Sequence, residues 1–345
     1  MRRGGWISLA LVVAVVLAVG VVIMKPKFSV GPAVAACYAD AAIAPDERRP
    51  IEDRARGFVG LLLGASPRNA YAELSTVTRA SSNPDQIKFK ARQLNEIKEV
   101  SPPSVTRTLL IDGLVGAPPG TKVPCGDLRD SGGVEAVAFA SAPKEAHVLL
   151  TEGLLNAERT FDVWLVFEDG RWRVNGFSFN LSMIGGRGGE SLWSEAKEQR
   201  ARGHVLNAAF LYLAASQTLS RGPYFELPDW AAFSRDYATF RPPAELSGSP
   251  PYRWTLGGRT YDILHAMIVG VDKGQVILAI DQPSCEWKGD GDADRRNHQT
   301  IDAFIAAHPE WSETFDAIAV RSNEPGTNRF FGSVYRKASG YSEGN

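Results

Sequence analysis

Two residues whose types suit acid–base chemistry sit close together in β-forming sequence. His147 opens the run His147–Leu154, and Asp162 lies inside Arg159–Phe167. An imidazole and a carboxylate in apolar surroundings make a general-base pair, because burial tunes their protonation. Side chains alternate along a strand, so both can share one face. The same alternation also describes two ordinary strand residues between apolar neighbours. A second set is Asp290, Asp292 and Asp294. Carboxylates at alternate positions open a calcium loop, which then requires Gly sixth and Glu twelfth. Those positions hold Arg295 and Ile301, and Arg295-Arg296 would oppose a cation. The run therefore reads as a solvated acidic turn ahead of a helix, where carboxylates are favoured by the helix dipole. His265, His298 and His308 lack the short spacing of a helix-borne metal site. Ser178, in Gly176-Phe-Ser-Phe-Asn180, lacks the second Gly of a nucleophile elbow. No metal and no cofactor are expected.

Cys37, Cys125 and Cys285 are far apart and form no CxxC. Val34-Ala35-Ala36-Cys37 resembles a bacterial lipobox, which makes Cys37 a lipidation candidate. Were Cys37 acylated, Cys125 and Cys285 would be the only possible pair. Otherwise three pairings are open, and so is a state with three thiols. Lys and Arg total 38 against 39 Asp and Glu, a net charge of −1. Such a balance gives no electrostatic footprint for nucleic acid.

Further back, at the start of the chain, an uncharged apolar run of about nineteen residues spans Trp6–Met24. Arg2 and Arg3 precede it, and Lys25-Pro26-Lys27 follows. A spanning helix needs roughly twenty such residues, and a run with no polar face cannot be a soluble surface helix. A secretory signal has a shorter apolar region and an abutting cleavage site. The expectation is a signal-anchor over 6–24 with a cytoplasmic tail of residues 1–5. The body then lies in the periplasm or outside the cell. The cleaved-signal and lipoprotein readings are its alternatives. Residues 25–49 read as a linker.

Helical patterning runs from near Pro50 to Leu63, from Arg68 to Arg79 after Ser66-Pro67, and from Asn83-Pro84 through Ile97. Extended runs follow at Thr106–Val115, Val134–Ala140, His147–Leu154, Arg159–Phe167 and Trp172–Phe179. Glu168-Asp169-Gly170-Arg171 is a hairpin turn, with Gly supplying the positive φ such turns demand. Helices followed by an antiparallel meander argue an α+β class. Gly185-Gly186-Arg187-Gly188-Gly189 reads as a boundary; it matches neither the Walker spacing nor GxGxxG. Beyond it come a long helix over Ser191–Leu219 and another over Pro228–Phe240. The latter carries Trp230, Phe233, Tyr237 and Phe240 as a core-facing stripe. A hairpin, Arg259–Val271 with Gln275–Asp281, turns around Asp272-Lys273-Gly274. A helix over Asp294–Ala307 and strands Thr314–Val320 and Arg329–Arg336 complete a second α+β domain over 190–340.

The order of three helices and then a meander resembles the nuclear transport factor 2-like (SnoaL-like, cystatin-like) α+β cone, over roughly residues 50–182. The hairpin Asp162-Val-Trp-Leu-Val-Phe-Glu-Asp-Gly-Arg-Trp-Arg-Val-Asn-Gly-Phe177 resembles the last two strands of that fold. Ala70-Tyr71-Ala72-Glu73-Leu74-Ser75 resembles its "A-Y-x-x-L-S" helix. The resemblance implies a cone domain over 50–184. Such cones host isomerases, hydratases, carriers and scaffolds, so the fold does not fix the function. The leading expectation is a membrane-anchored envelope module that binds a protein partner or a small apolar ligand. An isomerase- or hydrolase-type enzyme using His147 and Asp162 is the alternative, and a lipoprotein attached through Cys37 is a third.

Overall fold

The computed structural model describes residues 35–341 other than 65, 96–100, 115–119, 126–133, 139–142, 155–156, 221, 223–224, 227, 272–273, 284–287, 325 and 328. The expected tail 1–5, anchor 6–24, the first part of the linker and Cys285 lie outside these residues, as does most of the Asp272-Lys273-Gly274 turn. Among the described residues no helix is long and apolar enough to cross a membrane. The architecture is α+β. The chain divides into two compact units, one of residues up to Asn180 with Ser220–Ala231, the other of Leu181–Leu219 with Ala232 onward.

The first unit opens with a strand, β1 (Ala36–Ala39), inside what reads in the sequence as linker. Helix α1 (Pro45–Leu63) starts a turn earlier than expected. Pro45 stands at its first position, where a missing N–H costs nothing, and Asp46 and Glu47 complement its dipole. Ile51, Ala55, Phe58, Val59 and Leu62 form its buried stripe. The expected helix Arg68–Arg79 is two helices, α2 (Pro67–Ala72) and α3 (Thr76–Ser81). The break has a tertiary cause. Leu74 bridges to Val174, Ser75 N–H donates to the Val174 carbonyl at 2.7 Å, and Val174 N–H donates to Glu73 at 3.0 Å. Ser75 then caps α3 by accepting from Thr78 N–H. Helix α4 (Pro84–Leu94) begins with a reciprocal capping box between Asn83 and Gln86.

Strands β2 (Ser104–Asp112), β3 (Thr121–Cys125), β4 (Val134–Ala138), β5 (Lys144–Gly153), β6 (Ala157–Glu168) and β7 (Arg171–Ile184) follow. The β6–β7 turn is as expected, with Asp169 and Gly170 at φ 50° and 76°. The curled main sheet runs β1-β2-β5-β6-β7-β8, where β8 is Arg187–Gly188. A smaller sheet joins β3, β4 and β9 (Phe225–Glu226).

Alternation sorts the central strands into two faces. Leu110, Ala146, Val148, Phe161, Val163 and Leu165 pack with Phe58 and Leu62 of α1 in the main core. Burying a Phe such as Phe58 or Phe161 contributes about 2–3 kcal/mol. The opposite face carries Leu109 and Ile111, which pack with Val123 and Cys125 of β3. Both faces of this sheet are therefore buried at its centre.

In the second unit the end of β7 and β8 are followed by α5 (Gly189–Ala201) and α6 (Val205–Leu219). The expected single helix Ser191–Leu219 breaks at Gly203, whose φ of 83° no helix accommodates. Helix α7 spans Pro228–Thr239. Strands β10 (Tyr252–Leu256) and β11 (Arg259–Ile263) pair as a hairpin. The expected strand Arg259–Val271 thus divides at Leu264, and its second part is β12 (His265–Val271). Then come β13 (Gln275–Pro283), α8 (Asp290–Ala307), β14 (Ala317–Asn323), β15 (Phe330–Arg336) and β16 (Gly340–Tyr341), in sheet order β12-β13-β14-β15-β16. The β13–β14 pair is parallel, and α8 is the crossover such a pair requires. Phe210, Trp254, Phe304 and Phe315 form the aromatic centre of this unit.

Candidate functional site

His147 and Asp162 do share a face. In the β5–β6 register His147 stands opposite Trp164, and Asp162 stands opposite Leu149, so the two are diagonal neighbours. His147 Nδ1 lies 3.8 Å from Asp162 Oδ1, and their side chains are 0% and 2% exposed. That separation is an electrostatic approach, longer than a hydrogen bond. Burial pushes the Asp162 carboxyl above its usual range, and the His147 imidazole pulls it back. The His147 ring lies parallel to the Trp164 indole with centroids 6.2 Å apart.

A third titratable group completes the cluster. Glu145 is fully buried and accepts from Trp164 Nε1 at 2.9 Å. Its parity with His147 is legible in the sequence, but a glutamate near a strand end reads as solvated. The face is the decisive geometry. Ala146, Val148, Val163 and Leu165 point to the helices, so Glu145, His147, Asp162 and Trp164 point away from them. The pair does not line the space between helices and sheet, which is where a cone-type general base belongs. That space is filled by apolar side chains.

An open concave surface lies beside the β6–β7 hairpin. A groove of about 620 Å³ runs between the first turns of α1 and the β6–β7 hairpin, above the start of β5. Pro50, Arg54, Lys144, Phe167, Arg171 and Trp172 are among its walls. Phe167 and Trp172 meet edge to face at 5.3 Å. Lys144 bridges Glu47 and Asp112, and the Glu47 carboxylate holds its ammonium above the usual lysine range. Arg54 pairs with Glu73, while Arg171 projects into solvent. The β6–β7 turn was legible in the sequence. The groove was not, because it also needs α1 to start at Pro45 and the β2 and β5 ends to meet.

Asp290, Asp292 and Asp294 lie in the first turns of α8 and not ahead of it. They turn to separate partners: Asp290 to Arg329 at 3.2 Å, Asp292 to Arg295 and Arg296, and Asp294 to Ser333 at 2.6 Å and His298 at 3.3 Å. Among the described residues no group of three or more His, Cys, Asp or Glu could hold a metal ion. His265, on β12, stands opposite Asp281, and His308 lies 3.5 Å from Glu310.

Cys37 and Cys125 form a disulfide with Cα atoms 5.1 Å apart. It joins β1 to β3 and resolves the pairings the sequence left open. Acylation would require the same Cys37 sulfur, so the two uses exclude one another. The expected core stripe on α7 is partly seen: Phe233 is fully buried and Phe240 nearly so. Comparison with protein-family models, with characterised proteins and with solved structures finds no match to this chain.

Proposed function

We propose that this chain is a membrane-tethered, envelope-exposed binding module, whose first unit is a cone of the nuclear transport factor 2-like kind. The observation that carries the reading is the groove at the α1 and β6–β7 end. It is concave, its walls combine the Phe167–Trp172 pair with charged side chains such as Glu47, Asp112 and Lys144, and Arg171 among them faces solvent. Concave surfaces that set apolar walls beside converging polar groups are where ligands and peptide segments dock. The helix-to-sheet packing supports the cone assignment. The apolar run Trp6–Met24 with its flanking basic residues supports the tether. The Cys37–Cys125 bond suits an oxidising compartment.

A site-specific photo-cross-linker tests the reading. It replaces Arg171 in the groove, or Lys88 on α4 as a control, in the full-length protein in intact membranes. A defined adduct from position 171 alone supports the groove as the docking surface. Equal or no adducts from both positions reject it.

The enzyme alternative rests on the buried approach of His147 to Asp162. Its test is loss of a measured turnover in His147→Gln with the fold intact.

A further inference from the structure

We propose that β12 is a homodimerisation edge, pairing antiparallel with β12 of a second copy of this chain. The inference concerns the second unit and does not depend on the groove. β12 ends the five-stranded sheet, and among the described residues no strand pairs with its outer side. Six of its seven residues keep part of their surface in solvent, on both faces of the sheet, and Ile268 alone is buried. In β13, the next strand in, Val276–Gln282 are all buried. Alternate N–H and C=O groups of β12 bond to β13 and the rest point outward, which makes a free edge a template for another strand.

The sequence leaves this edge unguarded. His265-Ala-Met-Ile-Val-Gly-Val271 contains no Lys, Arg, Asp, Glu or Pro. Folds normally blunt an edge by shortness, charge or proline. The other sheet-ending strands here are all blunted. β8, β9 and β16 have two residues each. β1 has four and carries the disulfide, β3 holds Lys122 and Pro124, β10 holds Arg253, and β11 holds Arg259 and Asp262. β12, at seven residues with His265 as its one titratable group, is the exception.

Self-complementarity names the occupant. A two-fold axis at Ile268 sets Ile268 against its own copy, Met267 against Val269 of the second copy, Ala266 against Gly270 and His265 against Val271. No like charges meet, and the two His265 rings lie at opposite ends of the pair, roughly 20 Å apart over six residues. The axis makes the contact isologous, so the pair closes and does not grow into a fibre. Val269 and Val271 already pack with Ile277, Ala317, Ala319 and Val334. Pairing carries that apolar strip across the axis and joins two five-stranded sheets into one. A strip one strand wide is narrow beside the roughly 1,200–2,000 Å² of a stable interface, which places the contact among the weaker, reversible ones.

The experiment is sedimentation velocity on the full-length protein in detergent, at concentrations rising to about 100 µM, where a weak interface is populated. The wild type is expected to shift from monomer to dimer. Val269→Lys places an ammonium on the edge and should raise the dissociation constant about tenfold or more. Phe330→Lys, at an exposed position on β15 of the same sheet, should leave it unchanged. A wild type that stays monomeric throughout overturns the proposal, as does a dimer that Val269→Lys leaves intact. A second measurement reads the register without adding a charge. In a Cys285→Ser background, Ile268→Cys should cross-link to its own copy on oxidation, and Val271→Cys should not. Cross-linking of both at equal rates, or of neither, overturns the pairing about Ile268.

Discussion

The two units differ in one of the polar clusters each buries. In the second, Asn297 of α8 donates to the Phe331 carbonyl and to Ser333 Oγ, each at 3.1 Å. It also accepts from Gln282 at 3.0 Å and from Ser322 at 2.7 Å. Thr300 donates to Gln282 at 2.8 Å. Every one of these groups is neutral, and together they lock a helix onto three strands. The first unit buries the titratable groups Glu145, His147 and Asp162, and the closest approach of Asp162 to His147 is 3.8 Å. A satisfied neutral network rigidifies; a buried ionisable cluster keeps a dependence on its surroundings. The contrast teaches where to look for function. The second unit's neutral network locks a helix onto its sheet, whereas the first unit buries a titratable cluster on one face of its sheet.

The largest loss is expected from disrupting a feature both units have, a buried arginine–carboxylate pair. Arg321 meets Asp281 through two hydrogen bonds of 2.7 Å, and Arg159 pairs with Glu152 while donating to the Leu94 carbonyl that ends α4. Arg321→Leu and Arg159→Leu should each destabilise by about 3–5 kcal/mol, since each strands a buried carboxylate. Denaturant unfolding of the two variants checks this. Equal small losses would mean that water reaches both carboxylates.

Next in size is Asn297→Ala. It leaves several neutral partners unsatisfied and should cost about 3 kcal/mol. Calorimetry should show no added pH dependence, because none of its four partners titrates.

Asp162→Asn is a smaller change, and its signature is the pH profile. A carboxyl raised in the folded state favours folding below its unfolded pKa. That contribution is lost as pH rises through the raised value. The wild type should therefore lose stability over that interval, and the variant should lose less. A variant curve parallel to the wild type would show that Asp162 does not titrate there. Smallest is Arg253→Ala, whose partner Asp262 is 3.8 Å away and half-exposed. It should change stability by less than about 0.5 kcal/mol, and serves as the surface control.

The α+β class, the β6–β7 turn and the shared face of His147 and Asp162 were all legible in the sequence, because each depends on local period and turn chemistry. What escaped depends on distant partners. Ala36–Ala39 has no strand pattern of its own; it is a strand because β2 and Cys125 hold it. The Arg68–Arg79 helix breaks because Leu74 meets Val174, a hundred residues on. Thr121–Cys125 contains Lys122 and Pro124, residues that suit edges more than cores. Alternation told which residues share a face, but not which face meets the helices. That distinction separates a pocket residue from a concealed one.

Hydrogen exchange of the full-length protein, compared between intact membranes and the purified state, tests whether the groove is occupied in the membrane. Binding at the groove predicts added protection in membranes over residues 45–54 and 167–172, with the second unit unchanged. Identical exchange over those residues in both states, or added protection confined to the second unit, would contradict it.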